Sequence, residues 1–190
     1  MKKINRIILA IISLSLLSAF FTPLWEIDLE APQYPEGLCL EIHINKIGGD
    51  LNTVNGLNHY VGMKFIEPDS IKELKLMPYI LEFLILSGLI VSITGSKKLF
   101  YIWFVLFLLL AIAGALDFYL WEYDYGHNLN PEAAIKIPGM TYQPPLLGTK
   151  QLLNFTVHSF PGTGGYILIL SGFISVLIML SEIKRKAKRK

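Results

Sequence analysis

Hydrophobic positions gather in four long runs, Ile7–Trp25, Met77–Thr94, Leu99–Leu116 and Gly164–Leu180, separated by polar stretches. A bilayer core about 30 Å thick takes about 20 helical residues to cross. Leu99–Leu116 carries no charge, and Met77–Thr94 is interrupted only by Glu82. The pattern predicts an N-terminal signal-anchor helix over 1–25, a two-helix transmembrane hairpin over 77–120 and a fourth transmembrane helix over 162–183. Segments 26–76 and 121–161 then share one side of the membrane, and 184–190 is a basic tail on the other. The expected fold class is all-α membrane, four transmembrane helices with a small extracytoplasmic β-rich or loop cap.

Shorter periods divide the polar stretches. From Leu38 to Ile47, Leu38, Leu40, Ile42 and Ile44 alternate with Cys39, Glu41, His43 and Asn45. That period predicts a half-buried strand. Gly48-Gly49-Asp50 reads as a turn and Leu51–Val54 as a short return strand, making a hairpin. Segment 121–161 holds Pro131, Pro138, Pro144, Pro145 and Pro161. So many prolines argue against a long helix or a central strand, and the apolar residues among them predict an ordered, packed loop. Aromatic residues from Phe118 to Tyr125 mark the headgroup level. Ala111/Ala115 and Ser171/Ser175 are small pairs at a spacing that lets helices approach.

Composition supports the membrane reading: 53% of the 190 residues are hydrophobic, 17% are charged, and mean hydropathy is +0.48. An ordinary soluble domain carries more charge. The net charge of +2 matters less than where the charges fall. Lys2, Lys3 and Arg6, then Lys97 and Lys98, then the tail from Lys184 hold eleven of 17 basic residues. By the positive-inside rule both termini are cytoplasmic, in the cell membrane. A basic tail directly after an apolar span reads as a lipid contact, not a nucleic-acid site. The nearest small residues for a cleavage site, Ser18 and Ala19, have Leu16 and Leu17 two positions earlier where a second small residue is needed, so the first helix is expected to be uncleaved. One cysteine makes no internal disulfide.

Candidate chemistry collects on the cap side. His59 and Met63 are four apart, on one face of a helix or a strand. Imidazole with thioether suits copper, and thioether favours Cu(I). His127 and Met140 from the second segment complete the metal candidates, with Cys39, His43 and His158 secondary. Neither CxxC nor HExxH occurs, which argues against zinc. Glu82 and Asp117 are intramembrane acids, expected at similar depth near the outer ends of neighbouring helices and facing protein or a polar crevice. Asp124 and His127 form a carboxylate–imidazole pair of the kind used in acid–base catalysis. No GxSxG or comparable nucleophile motif accompanies them, so no catalytic residue and no enzyme activity is expected. The plain alternative is that the histidines and methionines only pack the cap.

The strings Gly56-Leu57-Asn58-His59-Tyr60-Val61-Gly62-Met63, Gly126-His127-Asn128-Leu129 and Ile135-Lys136-Ile137-Pro138-Gly139-Met140 resemble uncharacterised membrane proteins that accompany nitrous oxide reductase maturation proteins. The resemblance covers most of the chain, without Cys39 and His43. It implies a role in copper supply or assembly for an extracytoplasmic reductase, with copper-enzyme maturation proteins as partners. Two functions follow: an accessory protein that binds or delivers copper outside the membrane, or a structural subunit of a membrane complex without its own ligand.

Overall fold

In the computed structural model, which describes residues 1–187, each long apolar run is helical, the first only as far as Phe20, so the helix expected over 1–25 ends before Trp25, which opens a strand. α1 (Lys3–Ser15) continues as a 3-10 turn through Phe20. α3 (Lys72–Thr94) and α4 (Lys97–His127) form an antiparallel pair, and α5 (Thr163–Ala187) closes the bundle. The short α2 (Leu51–Val61) belongs to the cap. Four helices are long and apolar enough to cross a membrane, counting α1 with its 3-10 extension. By length and composition this is a multi-pass membrane protein. Lys188, Arg189 and Lys190 of the expected basic tail lie outside the described residues.

The bundle core is Leu9 and Ile12 of α1, Leu16 of its 3-10 extension, Leu81, Leu84 and Ile85 of α3, Phe100, Trp103, Phe104 and Phe107 of α4, and Ile178 of α5. A close approach lies elsewhere than at the predicted small pairs. Gly88 faces Ser13, and a Cβ there would also lie 3.1 Å from Trp103 Nε1. Trp103 Nε1 donates to the Leu84 carbonyl at 2.9 Å. Ser171 and Ser175 are buried as expected, but Ala111 and Ala115 are exposed.

The chain is not purely all-α. Five antiparallel strands form one sheet in the order β3-β2-β1-β5-β4: β1 (Trp25–Ala31), β2 (Tyr34–Ile42), β3 (Ile47–Gly49), β4 (Gly148–Leu152) and β5 (Phe155–Pro161). The register joins the two polar segments: Glu26 faces Phe160, Asp28 faces His158 and Glu30 faces Thr156. A separate Pro-rich loop over 121–161 is therefore corrected. Its start is the end of α4, its end is a hairpin, and only the stretch between them is irregular. β5 is an interior strand because its proline, Pro161, is its last residue. The predicted return strand Leu51–Val54 is instead the first turn of α2. Leu51, Val54, Leu57, Asn58 and Val61 follow helical spacing, and Gly62 at φ +83° ends the helix in the left-handed conformation that glycine tolerates.

The inner face of the sheet forms the second core. Ile27, Leu38, Leu40, Leu152 and Val157 pack with Val54 of α2, Ile66, and Phe118, Trp121 and Tyr125 of α4. α4 can supply that wall because its 31 residues are about 46 Å long, well beyond a 30 Å bilayer core. At the opposite, basic end, Glu182 is 0% exposed. Its Oε1 accepts from Lys2 N at 2.6 Å and Asn5 Nδ2 at 2.7 Å, and its Oε2 lies 2.8 Å from Lys97 Nζ. Arg6 donates to the carbonyls of Ser92 and Ile93. This polar knot ties α1, α3, α4 and α5 together, so α1 is an integral part of the bundle.

Candidate functional site

His59 and Met63 do meet at one place. They line an open hollow of about 330 Å³ with Lys64, Phe65, Asn128 and Asn130. The shared-helix-face argument is not the reason, because Met63 lies beyond the Gly62 cap. The turn after α2 brings them together, and the loop after α4 walls the hollow. Asn130 N donates to Gly62 O at 2.7 Å, and Ile135 N donates to Tyr60 O at 2.9 Å. Lys64 Nζ pairs with Asp124 Oδ2 at 2.6 Å, so Asp124 is committed to a lysine as well as standing near His127 in sequence. The His59 ring sits 5.7 Å from the ring of Phe65.

The other two members of the expected copper set are not part of this hollow. His127 Nδ1 lies 3.0 Å from Tyr123 O, and its ring stacks on Tyr123 at 3.9 Å. It is the last residue of α4, so the helix that was not foreseen there turns it back along its own axis. Met140 is half-buried in the irregular stretch, where its N–H donates to Ile137 O at 3.1 Å. Among the described residues no three His, Cys, Asp or Glu side chains are grouped so as to hold a metal ion.

The secondary candidates separate in the same way. His43 is buried in the turn after β2, with Nε2 2.9 Å from Glu41 Oε2. His158 Nδ1 bonds Thr149 Oγ1 at 2.8 Å. Cys39 sits across from Asp28. Burial, a hydrogen bond to Asp28 and the charges of Asp28, Glu26 and Glu41 push its thiol up to about 12.

The outer face of the sheet carries a feature that single-strand reading missed. Glu26, Asp28 and Glu30 of β1 alternate outward, and Glu41 of β2 faces Glu26. Burial and the neighbouring Asp28 and Glu41 charges raise the Glu26 carboxyl above its ordinary value, with His43 opposing. The signal was present as Glu26-x-Asp28-x-Glu30, but the pairing with Glu41 required the sheet.

The intramembrane acids are not at similar depth. Trp103 bonds Leu84, and Met77 Cε would lie 3.9 Å from a Cβ on Gly114, which fixes how α3 and α4 align. Asp117 is therefore level with the first turn of α3, and Glu82 is about nine residues, or about 13 Å, deeper. Both side chains are exposed on the isolated chain, not turned into a crevice. An acid at the bilayer centre costs on the order of 2.5–3.5 kcal/mol when lipid surrounds it. A further acid, Glu122 on α4, is 1% exposed, and neither carboxyl oxygen has a hydrogen-bond partner.

No protein-family model matches the chain, and no curated protein matches it.

Proposed function

We propose that this chain is a non-catalytic accessory subunit of a membrane complex, with both termini cytoplasmic and the cap outside. Sorting of Lys2, Lys3, Arg6, Lys97, Lys98 and Lys184 to one end supports the orientation. The function rests on the outer sheet face, where Glu26, Asp28, Glu30 and Glu41 stand on a sheet fastened to the helix bundle. Such a face complements a basic protein surface, which it selects by charge. Native-gel migration in the cell membrane tests the proposal. The wild-type chain should run in a complex, and the fourfold variant Glu26→Gln, Asp28→Asn, Glu30→Gln, Glu41→Gln should run free while still folded. A wild-type chain that runs free would end this reading.

A second reading, copper supply to an extracytoplasmic copper enzyme such as nitrous oxide reductase, is favoured by one observation: His59 and Met63 share a hollow. An imidazole and a thioether make an incomplete, soft Cu(I) seat from which a partner's ligands take the ion. Cu(I) competition against a chelator decides it. His59→Ala with Met63→Ala should abolish binding, whereas His127→Ala with Met140→Ala should leave it intact. No binding by the wild-type chain, or equal loss in both double variants, would defeat a His59–Met63 seat.

A further inference from the structure

Glu82 is the only charged residue between Leu76 and Thr94, about one turn from the midpoint of that stretch. Its side chain is exposed, and among the described residues it has no ion-pair partner. Around it Tyr79, Phe83 and Leu86 project outward at 70%, 55% and 54% exposure. Alongside runs an apolar groove of about 320 Å³, lined by Tyr79, Ile80, Phe83, Leu106 and Leu110. An ionisable residue at this depth is characteristically paired and turned toward protein.

We propose that Glu82 and this groove receive one transmembrane helix of another membrane protein, carrying Lys or Arg near its midpoint. Charge complementarity selects that occupant. The basic residues of α1, Lys3 and Arg6, lie at the basic end of the bundle, as do Lys97 and Lys98 of α4 and Lys184 of α5. Lys72 and Lys75 sit in the first turn of α3, and His127 ends α4 inside the cap. Among the described residues a second copy of the chain therefore has no cation to offer at the level of Glu82, and it would set acid against acid. A basic helix neutralises Glu82 where water is absent, and its apolar side chains fill the groove. Aligned at its midpoint, its cation needs no snorkelling to reach the acid.

This inference rests on the accessory reading, but its test is separate from the native-gel test. The donor-labelled full chain is reconstituted in phosphatidylcholine vesicles with an acceptor-labelled leucine-rich transmembrane peptide bearing one central Lys. A peptide with Leu at that position is the control. Energy transfer should show the Lys peptide associating at least about tenfold more strongly than the control. Glu82→Gln and Glu82→Leu should remove that preference. Both side chains lie on the surface, so the variants should keep wild-type helical content, which is checked by circular dichroism. Equal association of the two peptides, or a preference that survives in Glu82→Leu, overturns the proposal. Self-association of the chain that Glu82→Leu abolishes also overturns it, and assigns the face to a second copy.

Discussion

Glu182→Leu should loosen the bundle from its basic end, costing on the order of 3 kcal/mol. The leucine keeps the volume and removes the acceptor. Lys2 N–H then loses its acceptor at 2.6 Å, and the Asn5 amide loses the shorter of its two bonds, 2.7 Å, keeping only Ser181 Oγ at 3.3 Å, in a place where Asn5 is only 5% exposed. Each abandoned donor costs about 1–3 kcal/mol. Lys97 is 36% exposed and can turn to water, so its charge contributes little to the loss. Glu182→Gln should therefore cost much less, because it keeps an oxygen for the two donors. Thermal unfolding in mild detergent, read by the tryptophans, ranks the variants. If Gln falls as far as Leu, the ion pair and not the acceptor holds the knot.

The membrane helices were legible because a long apolar helix satisfies its own backbone inside a bilayer, and its ends carry charges. What the sequence concealed lies where distant segments complete one another. Trp25 reads as an interfacial anchor, yet it opens β1 and its indole donates to Ser159 Oγ at 2.8 Å, 134 residues away. Ile44 extends the alternation of Leu38, Leu40 and Ile42, but β2 ends at Ile42 and Ile44 packs into the bundle core. The helical stripe Phe118, Trp121 and Tyr125 was visible at spacings of three and four. Its aromatic character pointed to headgroups, whereas it is the wall of the cap core. That one misplacement also displaced His127. Sequence reasoning expected His59, Met63, His127 and Met140 to converge; the first two line one hollow, by a turn it did not foresee, and the other two lie elsewhere because their positions depend on where α4 ends. Nothing local marks Glu122 as buried; it lies one turn before Gly126, where the backbone of Gln143 covers α4.

That cover sets up the second large effect. Gly126→Ala should open the loop over α4 and destabilise the cap by a net of about 1–3 kcal/mol. Two terms compete. Alanine is the better helix former, by about 1 kcal/mol. Against this, a Cβ on Gly126 would collide with the backbone of Gln143 and lie 2.6 Å from its Cβ. Backbone atoms cannot swing aside as a side-chain tip can, so the loop must retreat. Retreat breaks the bond from Tyr142 N to Gly126 O at 2.9 Å and exposes Tyr142, which is 5% exposed. Losing that burial costs about 1.5–3 kcal/mol and losing the bond about 0.5–1.5 kcal/mol, which together exceed the helix gain. Glu122 lies one turn earlier on the same helix face, so water admitted there reaches its unpartnered carboxyl and recovers part of the loss. Protease added from the cap side should cut between Asn128 and Leu147 faster in the variant than in the wild type. A variant with a raised unfolding midpoint and unchanged cleavage would mean that helix propensity outweighs the contact, and that the loop is not sealed against α4 at Gly126.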